Sequence, residues 1–229
     1  MSKKSSSKTN FLAQGTILVI ASFVAKAIGM IYRIPLTHIL GDDGNGYYST
    51  ANEIYTIILM ISSFSLPLAV SRLVAEREYA GEVKNSYRVL ICSLRFAAVT
   101  GGILSILTFL LGGVITKYVM GVELASYALR VLAPAIFLFA LTGVLRGFFQ
   151  GHGTMVPTAI SQIIEQVINA IISVAGAYVM LQYGLKLGEK KGDAELGTAL
   201  AAAGGTFGTV ASVGVALLFM IVIYLGYRN

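Results

Sequence analysis

Two cations stand where an apolar helix should carry none. Lys26 lies about 13 residues from either end of the first long hydrophobic stretch, which at 1.5 Å per residue is about 20 Å from water. A lysine so deep does not snorkel comfortably, and on insertion scales a charge there costs at least ~2.5–3.5 kcal/mol unless it faces a cavity or a partner. Arg33 follows two helical turns later, so it shares a face with Lys26, Ser22, Gly29 and Thr37. The chemistry open to this stripe is recognition of an anion in a cavity through charge-assisted hydrogen bonds. The plainer alternatives are an interior salt bridge or, for Arg33, snorkelling to the interface.

Acids and amides recur at helical spacing too. In the second apolar stretch Ser49, Asn52, Glu53, Thr56, Ser63 and Ser71 fall within about a third of a helix circumference. Glu53 is suited to neutralise Lys26 or Arg33, or to act as a coupling or gating carboxylate; both roles fit different states of a transporter. The fifth stretch has the cleanest pattern: Thr158, Ser161, Gln162, Glu165, Gln166, Asn169, Ser173 and Gly176 share an arc of about 140° at 100° per residue. The opposite face, from Ile160 to Ile172, is aliphatic. One face is expected to meet water or a polar ligand in the bundle interior, the other lipid or packed helices. Glu165 is a functional candidate by default at that depth, with interhelical hydrogen bonding as the alternative. The candidate substrate-binding set is therefore Lys26, Arg33, Asn52, Glu53, Gln162, Glu165, Gln166 and Asn169.

Other chemistries find little support. The loops hold no paired acids or histidines at a catalytic spacing, so no catalytic residue is assigned. His152 has no nearby cysteine or second histidine, and neither a metal nor a cofactor is expected. The segment Arg146-Gly-Phe-Phe-Gln-Gly-His-Gly-Thr-Met-Val-Pro157 has the glycines of a phosphate loop without its Gly-Lys-Ser/Thr ending, and reads as a hairpin turn with a basic corner. The single cysteine, Cys92, excludes an intramolecular disulfide and is expected to pack as a small apolar residue. Arg95 and Arg130 sit near span ends and are expected to snorkel. Gly204, Gly208, Ser212 and Ala216 form a small-residue seam for a neighbouring helix.

The elements that must position these groups follow from composition. Of 229 residues, 56% are hydrophobic and 12% charged; a soluble domain carries about 25% charge. A soluble enzyme, a nucleic-acid module and a disordered chain are poor readings. Charge-free runs such as Phe96–Thr116 and Leu196–Tyr227 match or exceed the ~20 residues that cross ~30 Å of hydrocarbon. Neither the short alternating segments of an outer-membrane barrel nor a removable signal peptide is expected, the first apolar stretch being too long for the latter. The expected fold is an all-α integral membrane protein, a six-helix transmembrane bundle over 11–229. Its spans lie near 12–39, 48–71, 89–116, 124–149, 155–183 and 196–226, after an unstructured basic tail at 1–10. Prolines 35, 67, 134 and 157 are expected to kink or bound the spans. Residues 72–88 alternate acids and bases with apolar residues, as suits a helix on the inner membrane surface.

With the N-terminus inside, cytoplasmic segments carry Lys3, Lys4, Lys8, Arg72, Arg77, Lys84, Arg88, Arg146 and Arg228, and outer loops carry Lys117, Lys186, Lys190 and Lys191. Nine against four places both termini in the cytoplasm. This loop basicity accounts for most of the net charge of +6, with no nucleic-acid partner needed.

Lys26 with Gly29, Pro35-Leu-Thr-His-Ile-Leu-Gly41, Gly44-x-Gly46-Tyr-Tyr and Pro67-x-Ala-x-Ser-Arg-Leu-Val-Ala-Glu76 together resemble the opening of one family. So do Arg146-Gly-x-x-Gln-Gly151 and Met155-x-Pro-Thr-Ala-Ile-Ser-Gln162. That family is the polysaccharide-biosynthesis transporters of the spore-cortex protein B type, within the multidrug/oligosaccharidyl-lipid/polysaccharide exporter superfamily, which includes MurJ-like lipid II flippases. The resemblance implies one lobe of a MATE/MurJ-like two-lobe transporter of the bacterial cytoplasmic membrane, working by alternating access. It further implies a cationic cavity for the pyrophosphate and sugar headgroup of an undecaprenyl-linked precursor. Lys26 matches a family basic residue, and Arg33 falls one position from the next. The implied function is a flippase lobe for a lipid-linked oligosaccharide, not an enzyme; the alternative is a cation-coupled multidrug exporter leaning on Glu53 and Glu165. Implied partners are the lipid-linked substrate, membrane lipids, a coupling cation and a second six-helix lobe, in the same chain or another.

Overall fold

The computed structural model describes the backbone of residues 2–191 and 195–228 and the side chains of 14–190 and 195–228. The side chains of Lys3, Lys4, Lys8 and Lys191, and all of Asp193, lie outside the described residues. The described elements are α1 (Ser2–Ser62), α2 (Leu66–Tyr79), α3 (Val83–Val114) with a π-turn at Ile115–Val119, α4 (Ala125–Gly151), α5 (Val156–Lys191) and α6 (Leu196–Arg228).

The apolar stretch Gln14–Tyr79 is 66 residues long. Straight, it would extend about 100 Å, three times the hydrocarbon thickness, so it has to fold back. It does so at Gly41, whose φ of 66° and ψ of −171° suit a residue without Cβ. The return arm brings Tyr48 beside the outgoing arm: a Cβ on Gly205 of α6 would meet Leu36 at 3.5 Å and Tyr48 at 3.4 Å. The expected loop near 40–47 thus shrinks to one glycine.

The second expected span, 48–71, is interrupted at 63–65. The Ser63 and Phe64 amides both reach the Leu59 carbonyl, and α2 restarts with Pro67 in its first turn, where a missing N–H costs nothing. Here the surface-helix expectation for 72–88 is corrected. Val70 and Val74, one turn apart, are buried against α4, while Arg72, Glu76 and Arg77 face outward. The approach is close because α4 presents glycines: a Cβ on Gly147 would meet the Pro67 carbonyl at 2.5 Å, and one on Gly151 would meet Val74 at 2.6 Å. Helix α2 therefore stands along α4 as a continuation of the second crossing.

Other ends run longer than expected. Helix α3 begins at Val83, and α5 continues to Lys191 instead of stopping near 183, since Lys and Glu are good helix formers beyond the apolar limit. Likewise α1 starts at Ser2, so residues 2–10 are its first turns and not an unstructured tail; a long following helix removes the nucleation cost. Pro67 and Pro157 open helices, and Pro35 and Pro134 lie inside them. The break in α1 falls at Gly41, not at Pro35.

Neighbouring contacts fix the direction of each crossing. Gly101 meets Ala140 while Gly112 meets Leu129, so α3 and α4 are antiparallel. Gly184 meets Gly197 and Gly176 meets Gly204, so α5 and α6 are antiparallel. Gln14 accepts a hydrogen bond from the Met155 amide at 2.9 Å, and Tyr227 stacks edge-on against Phe149 at 5.8 Å. The start of the first crossing and the end of the sixth therefore share one end of the bundle. Leu36, Leu40, Tyr48, Leu132 and Ile136 form an apolar core toward one end, and Val74, Leu90, Phe148, Phe149 and Met220 a second core toward the other.

Helices α5 and α6 touch backbone to backbone, a Cβ on Gly176 reaching the Gly204 carbonyl at 2.5 Å. Gly176→Leu should overpack this seam by about 1–3 kcal/mol. The check is a lower thermal midpoint by circular dichroism in detergent, with Gly226→Leu, which meets open space, as the neutral control.

Candidate functional site

The eight candidate residues do not form one site; the fold sorts them into three environments. The first is an open cleft of about 550 Å³ lined by Arg33, Ser49, Asn52, Glu53, Thr56 and Ile57. The reversal at Gly41 creates it by laying the polar stripe of the return arm beside Arg33 on the outgoing arm. Ser49, Asn52 and Thr56 bond their hydroxyls or amide to carbonyls one turn back, Asn52 donating to the Tyr48 carbonyl at 2.9 Å and Thr56 to Asn52 at 2.7 Å. Their local bonds leave Arg33 and Glu53 as the groups with charge to offer a ligand. Both are exposed, and among the described residues neither makes an ion pair.

The second environment is the seam between α1 and α5. Ser22 donates to Gln162 Oε1 at 3.1 Å, and Gly29 lies against Gln166 Oε1, 3.5 Å from where a Cβ would stand. Lys26 sits between Ser22 and Gly29 on this face and is exposed, with no ion pair among the described residues. The expected neutralisation of Lys26 or Arg33 by Glu53 is not seen. Lys26 lies about 10 Å along the helix from Arg33 and does not line the cleft itself.

The third environment is closed. Glu165 accepts from Arg146 Nη2 at 2.7 Å, with side chains only 14% and 9% exposed. Arg146 also donates through Nε to Ser161 Oγ at 3.0 Å. The basic corner read at Arg146 is corrected by this: the residue is inside α4, not in a loop, and its charge is consumed by Glu165. One turn further along α5, Asn169 donates to the Tyr32 hydroxyl at 3.0 Å and accepts from Ser173 at 2.8 Å. The polar face of α5 is turned inward, while Ile160, Val167 and Ile171 of the other face are exposed.

Sequence reasoning missed Arg146 as the partner of Glu165. Arg146 lies near the end of its span and Glu165 about ten residues into the next, and only the fold brings residues 19 apart within bonding distance. It also missed Tyr32 as the partner of Asn169. Arg130 lies across Gly113, its Nη2 3.2 Å from where a Cβ would stand, and so runs along α3 toward the bundle end. Among the described residues no group of three or more His, Cys, Asp or Glu is placed to hold a metal ion.

A family described as "Polysaccharide biosynthesis protein" matches residues 11–224. The chain belongs to this family. Among its relatives, stage V sporulation protein B of Bacillus subtilis (strain 168) is 29% identical over 217 residues, covering 95% of this chain and 39% of that protein. Lipid II flippase MurJ of the same organism is 27% identical over 180 residues, 75% of this chain and 33% of the relative. The chain thus spans less than half the length of these relatives. A solved structure described as the outward-facing conformation of a multidrug resistance MATE family transporter of the MOP superfamily superposes with a TM-score of 0.78. It is 18% identical and covers 97% of this chain and 46% of that one. The fold of this family member is therefore that of a six-helix MATE-type lobe in a multi-pass membrane protein.

Removing either half of the Arg146–Glu165 pair strands a charge in a dry interior, which costs about 3–5 kcal/mol. Glu165→Leu and Arg146→Met should each lower the thermal midpoint markedly. The double change should recover most of the loss, as measured by circular dichroism melting of the purified protein in detergent.

Proposed function

We propose that this chain is a lobe of a flippase that moves a lipid-linked oligosaccharide across the bacterial cytoplasmic membrane, with the diphosphate of the substrate held at Arg33 and Lys26. The observation that carries the reading is the open cleft in which Arg33 stands, without an ion pair among the described residues, beside hydroxyl and amide groups that spend donors on their own helix. A guanidinium offers a diphosphate two parallel N–H bonds, and a lysine on the same face adds a point charge. Asn52, Glu53, Gln162 and Gln166 border this face and supply hydrogen-bonding groups for sugar hydroxyls. An apolar cleft of about 600 Å³ lined by Tyr32, Pro35, Ile39, Ile171, Val174 and Tyr178 begins one residue from Arg33 and gives an isoprenoid chain a path along α1 and α5. Family membership and the name of the lipid II flippase relative support the same reading.

Drug export coupled to a cation would lean on free acids within the lobe. Of the two acids that alternative would use, Glu165 is neutralised by Arg146, which leaves it Glu53 alone. In the proposed cycle a second lobe closes over the exposed face of α1, the headgroup exchanges sides with the cleft, and Glu165 and Asn169 hold α5 in register throughout.

Both chain ends are assigned to the cytoplasm. Without Arg146, which is not a loop charge, the basic count is eight against four and keeps its sign. In a Cys92→Ala background, a cysteine at Glu78 should resist a membrane-impermeant maleimide applied to intact cells, whereas one at Asp43 should react. Labelling at position 78 from outside would reverse the orientation.

In cells that depend on this protein, Lys26→Ala and Arg33→Ala should each reduce externalised lipid-linked precursor at least about tenfold, the loss of roughly one charge-assisted bond of 1.5 kcal/mol or more. Lys26→Arg should retain most of the activity. Full activity of Lys26→Ala with Arg33→Ala, at normal membrane abundance, would refute the proposed anchor.

A further inference from the structure

The corner between α2 and α3 carries a second cationic cleft, away from the one assigned above. It encloses about 400 Å³ and is lined by Leu73 and Arg77 of α2 and by Asn85, Arg88, Val89, Cys92 and Ser93 of α3. The polar groups are linked in a chain. Arg77 pairs with Glu82 at 3.0 Å, Asn85 donates to the same carboxylate at 2.9 Å, and Arg88 donates to Asn85 Oδ1 at 3.3 Å. Glu82 thus offsets Arg77, while Arg88 has only a neutral amide to lean on. Among the described residues no acid pairs with Arg88.

The cleft is graded along its length. Arg77, Asn85 and Arg88 sit at the charged helix ends, beside the turn at 80–82. Leu73 of α2 and Val89 and Cys92 of α3 lie one turn further from the helix ends, beside the exposed apolar side chains Ile91, Phe96 and Val99 of α3. A site that is cationic at the membrane boundary and apolar one to two turns deeper is complementary to a molecule with a phosphate at one end and hydrocarbon at the other. Its size suits a phosphoglycerol headgroup, and two adjacent arginines favour a net negative one.

We propose that this corner is a binding site for an anionic glycerophospholipid, with the phosphate on Arg88 and Arg77, headgroup hydroxyls on Asn85, and the glycerol esters and first acyl carbons over Leu73, Val89, Cys92 and Ser93. Occupancy adds to the Arg77–Glu82–Asn85 link that joins α2 and α3 at this end of the bundle. The site is independent of the transport reading, since it uses none of the residues assigned to the substrate.

The chain's one cysteine, Cys92, lies in the cleft and is exposed, so its reactivity reports occupancy. The protein in phosphatidylcholine nanodiscs is titrated with phosphatidylglycerol, and the rate of maleimide reaction at Cys92 is followed. Phosphatidylglycerol should slow the reaction severalfold at a low mole fraction. Each interfacial arginine contributes roughly fivefold to anionic lipid preference, so Arg88→Gln should raise the half-protecting fraction about fivefold and Arg77→Gln with Arg88→Gln about 30-fold. Both side chains are exposed, so the variants should fold, and unchanged circular dichroism spectra verify this. Protection that survives in the double variant would mean a general surface-charge effect and would overturn the site. Equal protection by phosphatidylcholine alone would overturn the anionic preference. Protection by soluble glycerol 3-phosphate or inorganic phosphate in phosphatidylcholine discs would overturn the lipid assignment in favour of a free phosphate ligand.

Discussion

A charge pair enclosed in a membrane bundle sets the terms for everything packed around it. Arg146 and Glu165 meet at 2.7 Å with Ser161 as a further acceptor for the guanidinium. Neither charge could stand alone in this environment, so α4 and α5 have one register in which both are satisfied. That register turns the whole polar stripe of α5 inward. Gln162, Gln166 and Asn169 then face α1, and the isoleucine-rich side faces lipid. With α5 oriented in this way, Lys26 and Arg33 of α1 are left on an open face, not drawn into the interior to neutralise an acid.

The second constraint is steric. Lipid supplies no hydrophobic force between helices, so association rests on close packing and internal hydrogen bonds. Two glycine seams supply the closeness: Gly176, Gly204 and Gly208 between α5 and α6, and Gly147 and Gly151 of α4 against Pro67 and Val74 of α2. They hold the two ends of the lobe, while the cleft at Arg33 lies where the arms of α1 separate. Rigid seams beside an open polar face suit a body that moves as a unit against another.

Parts of the candidate site were legible from residue types. The amphipathic pattern of α5 was visible because one face carries Gln162, Glu165, Gln166 and Asn169 and the other carries isoleucines, and helical period alone separates them. The shared face of Lys26 and Arg33 was visible for the same reason. The glycine seam of α6 was readable, but that of α4 was mistaken for turn glycine because Gly147, Gly151 and Gly153 sit close together and only Gly153, with φ of 77°, belongs to a turn. The division of the eight residues into an open cleft, a seam and a closed network was not legible. It depends on which charges find partners across helices.

Composition and period, acting on local sequence, were enough to determine that this chain is a membrane-spanning helical bundle, which stretches cross, and which face of each carries the polar groups. These follow from the cost of placing polar groups in hydrocarbon, a property of each segment by itself. Tertiary structure decided that Arg146 is Glu165's partner, that Gly41 alone turns the first hairpin, and that α2 stands upright on α4. It decided also that, among the described residues, Lys26, Arg33 and Glu53 remain without ion pairs. Such outcomes are set by contacts between segments far apart in the chain, where one charge can satisfy only one partner and a glycine admits a neighbour only if that neighbour arrives.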